Sequence, residues 1–295
     1  MELNTTRLEG PAAPSATGVL LRDAGGDIEV FLLRRHGQSD VLGGAYVFPG
    51  GKADPEDREW ALRLDRPPTE LHALLGEPEL ADDEAAALFV TAIREVFEET
   101  GVLFADIAPD AARAAWAALR QGPRFDELFE GSDLRLQASA LQPWSRWITP
   151  TLSSVGRKRF DTRFFVAAVP AGQEARHDEH EATEGLWLAP RTALRQYWDG
   201  LIEMAPPQIM SLNHLARLGP DAGRTARCRR RQHACHVAMP RDVDGVRVLC
   251  YPGDPWHSES TRALPGPTRL AWRNKRFEPD AGLAILLGDQ EHSAR

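Results

Sequence analysis

The chain is short of cysteine, of positive charge and of long apolar runs, and each shortage removes a class of protein. Three cysteines in 295 residues are too few, and odd in number, for a disulfide scaffold; they fit a reducing compartment, so a cytoplasmic location is expected. The formal net charge of −8 is opposite in sign to the footprint of a general nucleic-acid binder, so no nucleic-acid partner is expected. No apolar run approaches the ~20 residues that span a bilayer, and Met1–Ser15 lacks the apolar stretch of a secretory leader, so no membrane partner is expected either. No internal repeat is visible. What remains is ordinary globular composition, 42% hydrophobic and 26% charged, with length enough for one large domain or two small ones.

The informative stretch is Arg94-Glu95-Val96-Phe97-Glu98-Glu99-Thr100-Gly101. On a helix, Glu95, Glu98 and Glu99 stand at i, i+3 and i+4 and project from one face. Three like charges so close repel, and a divalent cation would reverse the sign of that interaction; carboxylate oxygens suit Mg²⁺ or Mn²⁺. The helix is expected to begin with Asp82 or Asp83 as its cap and Glu84 in its first turn. Ala86, Phe89 or Val90, Ile93, and Val96 with Phe97 form an apolar stripe, and Gly101 is placed to end the helix in a left-handed turn. The alternative is a solvated acidic face with an internal Arg94–Glu98 pair.

The stretch upstream shifts the balance. Val47-Phe48-Pro49-Gly50-Gly51-Lys52 runs a strand into a Pro-Gly-Gly turn, where a backbone can approach a ligand closely. Together the turn and the Arg-Glu-x-x-Glu-Glu-x-Gly helix resemble the box of the Nudix hydrolases, which cleave a nucleoside diphosphate linked to another group. The second half of the box matches at every fixed position from Arg94 to Val102. In the first half the expected glutamate falls on Asp57, a shorter acid, and a long insertion separates it from Arg94. The insertion carries Pro67, Pro68, Gly76 and Pro78 and reads as a surface excursion with a short helix at 69–75.

Further features resemble the subfamily of the mammalian peroxisomal coenzyme A diphosphatase: Leu32-Leu33-Arg34-Arg35, the long insertion, Arg146-Trp147-Ile148-Thr149-Pro150 and Arg159-Phe160-Asp161-Thr162-Arg163. The resemblance implies an α+β Nudix fold, an α/β/α sandwich around a mixed sheet, and hydrolysis of the diphosphate of coenzyme A or its thioesters. ADP-ribose, NADH or a dinucleotide are alternative substrates, and a non-catalytic nucleotide sensor is the alternative to an enzyme. The expected partner is a small nucleotide-diphosphate substrate, with homodimerisation left open. Glu95, Glu98 and Glu99 are the expected metal ligands, beside the Gly51 carbonyl. The base is expected among Glu98, Glu181 and Glu184, with Arg94 orienting Glu98. Substrate contacts are expected from Gly50 and Gly51 and from arginines, whose planar fork suits phosphate: Arg34, Arg35, Arg159 and Arg163, with Arg157 and Lys158 also considered.

Three segments follow. Residues 1–15 read as a flexible arm, residues 16–218 as the Nudix domain with insertions near 58–82 and 107–142, and residues 219–295 as a β-rich extension. Strands are expected at 16–22, 28–35, 45–48, 102–104, 160–169, 186–188, 234–239, 246–251 and 268–273, with the 172–184 stretch a polar loop. Cys228, His233, Cys235 and His236 superficially suggest zinc, but their spacing is not a usual structural pattern. The arginines at 224–231 read as a solvated linker. Trp144, Trp147 and Trp187 are expected in the core, with base stacking as the alternative.

Overall fold

Ala13–Asp23 and Ile28–Arg35 form an antiparallel pair, β1 and β2, joined by the Gly-rich turn between them. The computed structural model describes residues 3, 6–37, 42–152, 158–178, 182–218 and 234–289, and these two strands lie at the centre of a mixed eight-stranded sheet. β3 (Tyr46–Val47) pairs with β2, and β4 (Gly50–Lys52) pairs with the opening half of β1. β5 (Gln142–Ile148) lies antiparallel to β6 (Phe160–Ala168), which runs parallel to β1. β7 (Ala182–Leu188) pairs with the far side of β2. Residues Ser15 to Leu21 of β1 are all buried, as expected of a strand covered on both faces.

One face of the sheet carries the long helix α3 (Asp82–Thr100), through Ala16 and Leu20 of β1, Phe31 and Leu33 of β2 and Phe165 of β6. It also carries both insertions: α1 (Asp57–Trp60), a 3₁₀ turn and α2 (Pro68–Leu75) from the first, and α4 (Pro109–Leu119) and α5 (Phe125–Leu128) from the second. The insertions are less superficial than their Pro and Gly content implies. Trp60, Leu64, Leu71 and Leu75 are buried against α3, and Trp60 packs edge-on to Phe125 with ring centroids 5.2 Å apart. Aromatic burial of this kind outweighs turn propensity.

The opposite face, through Val19, Leu21, Val30, Leu32, Phe164 and Val166, packs on α6 (Pro190–Trp198) and α7 (Pro206–Ala216). The same apolar cluster takes in Leu249, Tyr251, Leu270, Phe277 and Leu286 from the C-terminal extension. Its antiparallel sheet comprises β9 (Met239–Val243), β10 (Val246–Cys250), β11 (Arg269–Arg273) and β12 (Arg276–Glu278), and α8 (Leu283–Leu287) follows. β8 (Ala234–Val237) does not join that sheet but runs parallel to β5 at the edge of the main one. Tyr197 on α6 donates its hydroxyl to the Phe277 carbonyl and accepts from the Phe277 N–H, both at 2.8 Å. The extension therefore shares a core with the main domain.

Several expectations change. Strand pairing begins at Ala13, so the last residues of the expected arm belong to the sheet. Residues 102–104 form no strand: the Gln173 side chain satisfies both the N–H and the carbonyl of Leu103, at 2.8 and 2.9 Å, in place of a neighbouring strand. The helix cap is Ala81, whose N–H donates to the Glu84 carboxylate, while Asp82 and Asp83 lie inside the first turn and Asp82 is engaged by His72. Gly101 does close the helix, at φ 74°.

Candidate active site

The apolar stripe of α3 fixes its rotation, and that rotation brings Glu95 and Glu99 to the turn at Gly50 and Gly51 and Arg94 to Lys52, with Glu98 held by Arg94. Arg94 is the hub. Its Nη1 donates to Glu95 at 2.8 Å and to Glu98 at 3.0 Å, and its Nη2 to the Lys52 carbonyl at 2.8 Å. Its other side grips Asp57, Nε to Oδ1 at 2.8 Å and Nη2 to Oδ2 at 3.0 Å. Asp57 is 1% exposed and also accepts from Thr91 and from the Asp54 N–H. The shorter acid thus reaches Arg94 because α1 brings its backbone down onto α3, and the insertion loops out after it. Burial works against the Arg94 charge, but the hydrogen bonds to Asp57 and the charges of Glu95, Asp57 and Glu98 outweigh it and hold the guanidinium protonated. Burial raises the Glu98 carboxyl above its ordinary value, and Arg94 only partly offsets this.

The glycines of the turn are required by close approach. A β-carbon on Gly51 would lie 2.5 Å from a Glu95 carboxylate oxygen, and one on Gly50 would lie 2.5 Å from the Ala16 carbonyl. Gly50 donates its N–H to Glu99 at 3.0 Å. Carboxylates and backbone therefore meet in a cradle that a side chain at Gly50 would break and that one at Gly51 could enter only by displacing the end of the Glu95 side chain. Among the described residues no three acidic, histidine or cysteine side chains already stand as a metal cluster. The donor chemistry nevertheless suits Mg²⁺, which takes one or two carboxylates and completes its shell with water and phosphate oxygens.

Glu95, Glu99, Gly50 and Gly51 line a cavity of about 390 Å³ that opens on the α6–α7 face of the sheet. Arg35, Lys52 and Lys158 line it too. From the glycine turn the walls run past Thr17 to Phe164, then to Trp147 and Tyr251, whose rings are 6.1 Å apart. Pro206, Pro207, Gln208 and Leu249 complete that end.

Of the expected site residues, Arg34, Arg159, Arg163 and Glu184 do not line this cavity, nor do Arg94 and Glu98, and strand alternation accounts for Arg163, which lies between the lining residues Thr162 and Phe164. Arg34 and Glu184 face each other across β2 and β7, two residues along from Leu32 and Leu186, and so lie on the α6–α7 face onto which the cavity opens, but neither lines it. Glu184 is on a strand rather than a loop, and it accepts the Tyr46 hydroxyl at 2.5 Å. Burial and the Glu184 carboxylate push the Tyr46 hydroxyl up to about 12, so it remains a donor. Arg163 is 2% exposed and faces the α3 side, where Glu77 from the first insertion holds it at 2.5 Å and Asp161 at 3.0 Å. Arg146, opposite it, pairs with Glu77, Glu79 and Asp161. Arg159 donates to the carbonyls of Thr149 and Gly10. Glu181, Arg157, Cys228 and His233 lie outside the described residues, as do the side chains of Cys235 and His236. Trp144 stacks on His214 at 4.3 Å and Trp187 packs on Phe31, both as core. Gln208, Leu249 and Tyr251 had no signal in the sequence, because nothing in their spacing announces a cavity wall.

The sheet layout, the helix-borne carboxylates and the glycine turn define a Nudix fold with its box assembled. A profile described as the NUDT19 Nudix domain matches residues 11–215. The chain belongs to that family. It is 27% identical over 234 residues to the acyl-coenzyme A diphosphatase NUDT19 of Xenopus laevis, covering 66% of this chain and 61% of the relative. It is 29% identical over 226 residues to the human protein of that name, covering 63% and 60%. The chain thus spans about three fifths of the length of these relatives. The crystal structure of a Nudix hydrolase from Alicyclobacillus acidocaldarius superposes with a TM-score of 0.58 at 32% identity, over 72% of this chain and 94% of that one. Among the described residues no helix is long and apolar enough to cross a membrane.

Proposed function

We propose that this chain is a divalent-cation-dependent hydrolase of the diphosphate bond of coenzyme A or an acyl-coenzyme A. The observation that carries the reading is the meeting of Glu95, Glu98 and Glu99 with Arg94 and the Gly50–Gly51 turn at one end of a cavity lined by Arg35, Lys52 and Lys158. The names of the relatives support the coenzyme A assignment.

Glu95, Glu98, Glu99 and the Gly51 carbonyl would hold the cation, which when bound neutralises phosphoryl oxygens and acidifies water. The chain's own residues do the rest. Arg94 fixes the spacing of Glu95 and Glu98, a positioning role like that of other groups behind metal ligands. Arg35, Lys52 and Lys158 offset the charge of the diphosphate. Glu98, whose carboxyl burial raises above its ordinary value, is the group suited to take the proton of the attacking water.

The test is a Mg²⁺-dependent hydrolysis panel of coenzyme A, acetyl-coenzyme A, ADP-ribose, NADH and a diadenosine polyphosphate, run beside Glu98→Gln. Release of adenosine 3′,5′-bisphosphate from the first two, cut by about two orders of magnitude or more in the variant, is expected. Cleavage confined to ADP-ribose or NADH would overturn the coenzyme A assignment, and a fully active Glu98→Gln enzyme would remove Glu98 from the chemistry.

A further inference from the structure

The family profile ends at residue 215, yet the cavity does not. Leu249 and Tyr251, on and just after β10, line it from the C-terminal extension, opposite Gln208 on α7. Tyr251 is 3% exposed and Gln208 6%. Among the described residues, neither the Tyr251 hydroxyl nor Gln208 Oε1 has a hydrogen-bond partner. Buried polar atoms are normally paired, because leaving one unpaired forfeits its bonds to water. Two such atoms on the wall of one cavity mark a site that awaits polar groups.

The surroundings restrict what those groups belong to. Trp147, Phe164, Pro206, Pro207 and Leu249 make this end aromatic and aliphatic, while the cations Arg35, Lys52 and Lys158 belong to the same cavity as the carboxylates. A sugar, with hydroxyls all round, would meet mostly apolar wall here. An uncharged chain with amide groups set between aliphatic segments matches it: a phenol donates to an amide carbonyl, and Gln208 Oε1 accepts an amide N–H.

We infer that Tyr251 and Gln208 form an amide-recognising subsite for the pantetheine arm of the substrate, and that the C-terminal extension makes this enzyme selective for that arm. This rests on the coenzyme A reading above and adds to it the residues that discriminate.

The experiment uses the full chain and two variants, Tyr251→Phe and Gln208→Leu, each of which removes an unpaired buried oxygen and keeps the apolar volume. Calorimetry with pantetheine 4′-phosphate and with adenosine 3′,5′-bisphosphate is run beside acetyl-coenzyme A kinetics and thermal melts. Each variant is expected to weaken pantetheine 4′-phosphate binding about tenfold, the worth of one hydrogen bond, with the kinetic loss falling on KM. Binding of adenosine 3′,5′-bisphosphate is expected to stay as in the wild type, and the melting temperature to hold or rise, since neither oxygen stabilises the empty protein. Unaltered pantetheine 4′-phosphate binding in both variants, with acetyl-coenzyme A still hydrolysed, overturns the subsite and leaves the reaction standing. No coenzyme A hydrolysis by the wild type, with pantetheine 4′-phosphate bound and weakened by both variants, overturns the reaction and supports the subsite. A wild type that does not bind pantetheine 4′-phosphate overturns the subsite outright.

Discussion

Replacing Asp57 by alanine should damage the fold and the site together. Asp57 takes two hydrogen bonds from Arg94 and one from Thr91 in a buried setting, and a partly buried one from the Asp54 N–H. Removing one member of a buried charge pair costs about 3–5 kcal/mol. The lower figure applies here, because Arg94 keeps Glu95, Glu98 and the Lys52 carbonyl. At about 2–4 °C per kcal/mol for a chain of this size, the melting temperature should fall by about 6–12 °C. Released from Asp57, the guanidinium should settle more firmly on Glu95 and Glu98, so Mg²⁺ should stabilise the variant less than the wild type. Arg94→Met combined with Asp57→Leu should cost less than the two single changes added, since residues in contact couple. Calorimetric melts with and without Mg²⁺ read all of this. A shift below about 2 °C for Asp57→Ala, under 1 kcal/mol on the same scale, would refute the view that this pair ties the insertion to the catalytic helix.

Mg²⁺ alone, at a hundredfold excess over its dissociation constant, should stabilise the wild type by about 2.7 kcal/mol; an unmoved melt with no heat of binding would count against the cradle. Gly51→Ala should barely change stability, because the added methyl displaces only the end of the Glu95 side chain, but it should lower turnover and Mg²⁺ affinity together; normal turnover would mean Glu95 can stand elsewhere. Arg163→Leu should lose about 3 kcal/mol of stability, since buried Glu77 is left to Arg146 alone, and whatever protein remains folded should keep its KM; a raised KM with an unchanged melt would return Arg163 to the substrate.

The sequence makes α3 legible except for its cap, because one helix carries both an apolar stripe that dictates its rotation and acids whose spacing has meaning only on that helix. The position of Asp57 is legible too, although spacing alone could not say that a shorter acid still reaches Arg94; the answer lies in the backbone path of α1. The arginines were harder. A strand shows its alternation in one dimension, but which face meets the substrate depends on packing from elsewhere. Arg163 and Phe164 are neighbours in sequence, yet one is sealed against Glu77 and the other lines the cavity. Likewise, Glu184 is polar among polar neighbours and reads as loop, until its pairing with Arg34 puts it on a strand. The insertion acids Glu77 and Glu79 carry no local sign of the arginines they will meet, which come from β5 and β6.

The extension's share in the cavity has a consequence for the timing of biosynthesis. Glu95 and Glu99 lie about a third of the way along the chain, whereas Leu249 and Tyr251 follow some 150 residues later. At about 5–20 residues per second, translation separates the two ends by about 8–30 s. During that interval a nascent chain can assemble the α3 face, with its carboxylates and glycine turn, while the aromatic end of the cavity stands open. On the proposed reading, the residues of the chemistry are thus made before those of discrimination.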